Sequence, residues 1–249
     1  MILTIAKREL RGLFHSPLAW VCLAVVQIIV GFFFAITINE FIRYQAQLSG
    51  ESTLGVTDIV APQCMAVLSF VMLFIMPLLT PRLISGEHRN KTLPLLLAAP
   101  TTTTRIILGK FFAMLIFILI TQALLFLMLL SLSLGTQLDW GQITTGIFGV
   151  LLSLGLFAAI GLYISTLNRE PMVAGVLTYG ALFLLWILGV GASMVGEAGE
   201  VLKWLSLTQH QDNFYRGLID SRDLVYYGLF TGFFLLLSIR RLDAERLHA

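Results

Sequence analysis

The side chains in this sequence that could carry out chemistry are few and far apart. The four histidines, His15, His88, His210 and His248, are scattered outside the long apolar stretches, with no spacing suited to a metal ion. Serine, histidine and aspartate form no nucleophile arrangement within the apolar stretches. Gly109-Lys110 has the final glycine and lysine of a phosphate loop but lacks the upstream glycine. Any nucleotide chemistry therefore belongs to another polypeptide, and the chain is expected to hold no catalytic residue, metal or cofactor. Cys22 and Cys64 fall near opposite ends of their stretches, at depths too different for a disulfide.

The most informative segment is 83–100, which is mixed in charge at its start and strongly apolar at its end. Thr92 is placed to cap a short helix whose first turn tolerates Pro94, and Pro100 stops it. Leu93, Leu96 and Leu97 share one face by their spacing. A leucine face held between charged ends calls for a cover, either the membrane surface or a partner protein. The entry through Glu87, Arg89 and Lys91 favours the partner.

The elements that must position this segment follow from composition. The 249 residues are 57% hydrophobic and only 12% charged, with mean hydropathy +0.89, whereas soluble domains run at about 45–50% apolar and about 25% charged. An ordinary soluble globule, a disordered chain and a nucleic-acid binder are excluded. The net charge of +2 implies no polyanionic partner. Six stretches lack any Asp, Glu, Lys, Arg or His: 17–38, 61–81, 111–134, 144–167, 172–195 and 224–239. Each is read as a membrane span of about 20 residues, the sixth at the short end. Helices are required because a lipid-exposed backbone must satisfy its own hydrogen bonds. The fold class is thus an all-α membrane protein in a single transmembrane domain over 1–249, with no room for a folded domain outside the bilayer.

Placing the N-terminus in the cytoplasm puts twelve of the sixteen lysines and arginines on that side, so both termini are expected there. The first span is too long for a signal-peptide core, and no small-residue cleavage site follows Ile38. Before it, 1–16 forms an amphipathic arm with Lys7, Arg8 and Arg11 on its polar half, suited to membrane lipid at the interface. Glu9 is the exception, facing the apolar half. A plain basic anchor is the simpler reading of the same residues. Ser16-Pro17 then caps and starts a new helix. Pro77 and Pro81 predict a kink or break at the cytoplasmic end of the second span.

No acidic residue or histidine lies in the six cores, which argues against ion-coupled transport. Gln122 reads as a bond between helices, and Gly155-x-x-x-Ala159 with Gly161-x-x-x-Ser165 as close packing. In the outer connection 196–223, Trp204 and Tyr215 suit an interface, and Val201, Leu202 and Leu205 suggest a short amphipathic helix. The stretch 40–60 reads as a polar external loop, a candidate contact site for an extracytoplasmic accessory protein.

Gly86-Glu87, Thr92-Leu93, Leu96-Leu97, Pro100 and Gly109-Lys110 resemble the signature of ABC type-2 (ABC-2) transporter permeases. The resemblance spans the chain. It implies that 83–105 forms a cytoplasmic coupling helix docking an ABC ATPase subunit through Glu87, Arg89, Thr92, Leu93, Leu96, Leu97 and Pro100, and that 1–16 is an interfacial elbow helix. It also implies a second permease chain as homo- or heterodimer, ATP-Mg held only in the partner ATPase, and residence in the bacterial cytoplasmic (inner) membrane as a multi-pass protein. The stretch from Phe214 to Tyr227 resembles the branch containing gliding-motility and nitrous-oxide reductase accessory permeases. The sequence departs from the family pattern at Pro94, often acidic, and at Lys91, commonly glycine. The expected function is a permease subunit coupling ATP hydrolysis in a separate chain to export or mechanical signalling. A membrane scaffold recruiting cytosolic proteins without ATP, and an intramembrane enzyme, are the competing readings.

Overall fold

A computed structural model describes residues 1–47, 55–98, 101–194 and 206–248. Among these, every regular element is a helix: α1 Ile2–His15, α2 Pro17–Gln47, α3 Val56–Leu79, α4 Ser85–Arg89, α5 Leu93–Ala98, α6 Thr103–Ser131, α7 Trp140–Leu167, α8 Pro171–Met194, α9 Leu207–Tyr215 and α10 Ser221–His248. Six helices are long and apolar enough to cross a membrane: Pro17–Arg43, Val56–Leu83, Thr103–Leu134, Trp140–Leu167, Pro171–Gly191 and Ser221–Leu247. The chain is an all-α, multi-pass membrane protein.

Charge-free stretches mark where these spans lie, and the helices run on beyond them. The sixth reaches back to Ser221 and on to His248, because a helix continues past the first ionised side chain once that group is outside the apolar layer or paired. Two such groups lie deep in the protein. Lys110 is fully enclosed within α6, and Asp223 is 2% exposed at the start of α10. Both stand immediately before a charge-free stretch, at 111–134 and 224–239.

Local signals account for the helix ends. The Ser16 hydroxyl accepts the Leu18 amide at 3.3 Å, as an N-cap before Pro17 should. The Asp139 carboxylate accepts the Gly141 and Gln142 amides at 2.8 and 3.2 Å and starts α7. Pro77 is accommodated inside α3. The break comes at Pro81, where a 3₁₀ turn over Thr80–Leu83 replaces the α-helix.

The bundle is organised around α7, which packs against α3, α6, α8, α9 and α10. Gly161 on α7 lets Thr80 approach so closely that a Cβ there would collide with the threonine side chain. The Gln122 amide crosses from α6 to donate to the Ile147 carbonyl on α7 at 3.0 Å. Gly155, by contrast, has only ordinary contact with Leu115, so of the two expected motifs the close approach is made at Gly161 and not at Gly155.

One end of the bundle gathers α1, the segment carrying α4 and α5, the start of α6 and the end of α10. Arg105 reaches Met1, the Thr103 hydroxyl bonds Asp243, and Arg246 donates to the Thr101 carbonyl at 2.9 Å. Both chain ends therefore meet the 80–105 segment on one side. The opposite end holds α9 against α7 and α8.

Candidate functional site

The 80–92 segment is held by four other elements. From α6, the Lys110 ammonium pairs with the Glu87 carboxylate at 2.7 Å and with Glu9 of α1 at 3.1 Å. Arg8 bonds Glu9 at 3.1 Å and lies 3.9 Å from Glu87. From α7, the Ser165 hydroxyl donates to the Pro81 carbonyl at 2.8 Å and accepts the Ile84 and Ser85 amides at 3.1 and 3.0 Å. Those amides lose helical partners at the break, so one side chain repairs the local backbone. From α10, Glu245 lies 3.3 Å from the His88 ring.

The approach of α1 depends on Gly109. A Cβ at this position would stand 2.7 Å from Ile5 and 3.2 Å from the Ile2 carbonyl, so any larger residue would push α1 away from α6. The next residue, Lys110, then reaches Glu9. The glutamate that broke the amphipathic pattern of the arm faces inward to neutralise this buried lysine.

After α4 the chain reverses through a Schellman motif. The Lys91 amide bonds the His88 carbonyl at 3.1 Å, and the Thr92 amide bonds the Glu87 carbonyl at 3.0 Å. Lys91 sits at φ 57, the left-handed position where glycine is favoured. The departure from the expected glycine is thus located at a backbone position with a physical demand for one. Instead of accepting an amide as a cap, the Thr92 hydroxyl donates back to the Glu87 carbonyl at 3.3 Å.

Several sequence expectations shift accordingly. Glu87 is turned into the protein toward Lys110. Leu93 is 3% exposed and Leu96 is half-buried against the core, so these leucines already have a cover within the chain. Arg89, Asn90, Lys91, Thr92 and Pro94 form the outward edge. Lys7, Arg8 and Arg11 are likewise exposed along α1. The Leu97 side chain, Pro100, Trp204 and the helix expected around Val201, Leu202 and Leu205 lie outside the described residues. A helix follows at Leu207–Tyr215, started by the Ser206 hydroxyl accepting the Gln209 amide at 3.3 Å.

That helix carries a second polar group of residues, unseen in the sequence reading. His210, which the sequence places outside the apolar stretches, is 9% exposed and bonded to Asp223. The Asp223 carboxylate also accepts Asn213 at 2.9 Å, and Tyr226 stacks on His210 with ring centroids 4.2 Å apart. The Gln211 amide donates to Ser69 and Ser153, each at 2.8 Å. The His210–Asp223 separation of thirteen residues hid the pair. Only the fold of α9 back onto α10 brings them together.

Two cavities run along the α3–α8 face. One, of about 750 Å³, lies beside α2, α3, α8 and α9. The other, of about 1050 Å³, reaches Glu9, Arg82, Glu87 and Arg89 at the charged end. Phe74 and Leu78 line both, so the cavities adjoin. Burial pushes the Asp212 carboxyl at the rim of the first above its ordinary range, against a smaller opposing effect of Arg216. The Tyr215 phenol is also pushed up by burial, with its Ser69 bond opposing.

A family model described as ABC-2 family transporter protein matches residues 3–221. The chain belongs to this family. No curated protein matches it. Membership makes this ABC-2 protein a membrane subunit of an ABC transporter by family, a class of subunit that is normally not itself catalytic. The matched region includes α1, the clamped 80–92 segment, Lys110 and α9.

Proposed function

We propose that this ABC-2 protein couples ATP hydrolysis in a separate ATPase subunit to movement of its spans, driving export or mechanical signalling across the membrane. The observation that carries the reading is the clamp on Ser85–Arg89. Lys110, Glu9, Ser165 and Glu245 join this five-residue helix to α6, α1, α7 and α10. A force applied to its outward edge therefore reaches four elements with little slack.

In this reading α1 is an elbow helix and the α4–α5 segment is the coupling element. The ATPase meets Arg89, Lys91, Thr92 and Pro94, while Glu87, Leu93 and Leu96 hold the element rigid from behind. ATP-driven closure of paired ATPases shifts an inward–outward equilibrium, because the ATPase binds the two arrangements unequally. A second permease chain completes the assembly in the bacterial cytoplasmic membrane, with both termini on the ATPase side. That orientation agrees with the basic residues gathered at the clamped end.

The test is association. Tagged chain purified from native membranes should carry a phosphate-loop ATPase. Arg89→Glu combined with Lys91→Glu should abolish that association while insertion and elution volume stay unchanged. Retention of the ATPase by this variant would remove the docking edge. A wild-type preparation with bound cytosolic proteins but no ATPase would favour the scaffold reading.

A further inference from the structure

The 750 Å³ cavity is of the size that encloses a drug-sized molecule. Its wall is rich in aromatic rings. On α8, Tyr179, Phe183 and Trp186 form a stacked ladder, with centroids 5.8 Å apart at each step and interplanar angles of 9° and 20°. Across from it on α3, Phe70 meets Trp186 and Phe74 meets Tyr179, both at 5.5 Å. Phe70, Phe74 and Trp186 line the cavity directly.

The polar atoms at the α9 end divide into two kinds. Ser69, Gln211 and Tyr215 are spent on one another and on Ser153. Asp212, in contrast, has no side chain hydrogen-bonded or ion-paired to its carboxylate among the described residues. Among the described residues, no lysine, arginine or histidine lines the cavity. The single formal charge that the described residues place on its wall is therefore negative, and it stands at the rim of an apolar space bordered by π-systems, whose faces attract cations.

We propose that this cavity binds a lipophilic cation, with its apolar body against Phe70, Phe74 and Trp186 and its positive group near Asp212. A neutral lipid tail would use the aromatic wall but leave the carboxylate without a partner. An anionic amphiphile would meet repulsion from Asp212. Burial pushes the Asp212 carboxyl up and Arg216 opposes this only in part, so a bound cation would add to a compensation that is incomplete. Calling the bound molecule a cargo rests on the permease reading above; the binding itself does not.

The full chain in phosphatidylcholine nanodiscs, without any ATPase, should be tested by equilibrium dialysis, with empty discs subtracted. The probes are tetraphenylphosphonium and tetraphenylborate, which share shape and hydrophobicity and differ in sign. Tetraphenylphosphonium should bind saturably, and at least about tenfold tighter than tetraphenylborate, a difference of about 1.4 kcal/mol. Asp212→Asn should weaken the cation about tenfold and erase the preference. Trp186→Leu should weaken both ions. Equal binding of the two ions by the unmodified chain would overturn the proposal, and so would uptake no greater than that of empty discs. This comparison needs no variant, so a folding defect cannot obscure it. Loss of ATPase association in the Arg89/Lys91 variant would leave the result unchanged, which separates the two readings.

Discussion

Lys110 and Glu87 meet at 2.7 Å although 23 positions separate them, and the lysine side chain is wholly enclosed while the glutamate retains 18% exposure. Removing the cation alone leaves Glu9 and Glu87 facing each other with Arg8 as the nearby positive charge. Lys110→Met, similar in length, should therefore destabilise the protein by about 3–5 kcal/mol, the usual cost of breaking one side of a buried ion pair. Adding Glu9→Gln and Glu87→Gln should recover most of that loss, because the neutral trio no longer buries an unpaired charge. Thermal unfolding in detergent measures both. A loss below about 1 kcal/mol in the single variant would mean that water already screens the pair as it does on a surface.

The elements of this trio were visible in the sequence singly. Glu9 broke the pattern of the arm, Glu87 headed the informative segment, and Lys110 followed a glycine at the mouth of the third span. Their convergence was hidden because nothing local records contacts between residues 23 and 101 positions apart. The spans were legible for the opposite reason, since a run of residues without ionised side chains is a local property that the bilayer directly requires. The helices run past those stretches to take in Lys110 and Asp223, because the partners that permit such burial come from elsewhere in the chain. Helical spacing places Leu93, Leu96 and Leu97 on one face, but periodicity gives which residues share a face without giving the direction in which that face turns.

Ser165 supplies the only side chain, among the described residues, that bonds both the Ile84 and Ser85 amides. The Ser85 hydroxyl returns the contact by donating to the Ser165 carbonyl at 2.9 Å. Ser165→Ala should cost about 1–3 kcal/mol, since two enclosed amides lose their acceptor at once. The same variant should weaken ATP-driven activity of a reconstituted complex more than ATPase association. The docking edge survives the change, whereas its anchorage to α7 does not. Equal loss of association and activity would show that the substitution disrupts the whole segment.

At Lys91 the left-handed backbone places a lysine where its Cβ crowds the following carbonyl. Lys91→Gly should raise stability by about 1 kcal/mol by removing that strain, offset in part by the greater freedom glycine has when unfolded. Lys91→Val should lower stability, because a β-branched side chain fits this conformation poorly. The ordering glycine, then lysine, then valine in midpoint temperature is the expected outcome. An identical midpoint for all three would mean that the turn relaxes out of the left-handed region in solution.

The Asp212 carboxyl offers a dependence on pH whose direction follows from its environment. Burial raises its folded-state pKa above the unfolded value, so the folded chain holds this proton more firmly. Its contribution to stability is fully present below the unfolded pKa and is lost as pH rises through the folded one. At neutral pH the ionised carboxylate is therefore a net liability to the unliganded fold, and Asp212→Asn should unfold at a higher temperature than the parent. Below the ordinary aspartate range the two proteins should converge, because both then carry a neutral side chain. Thermal scans of parent and variant across pH 3–8 provide the check. A gap that persists unchanged at the acid end would assign the effect to packing of the amide and remove desolvation as its cause.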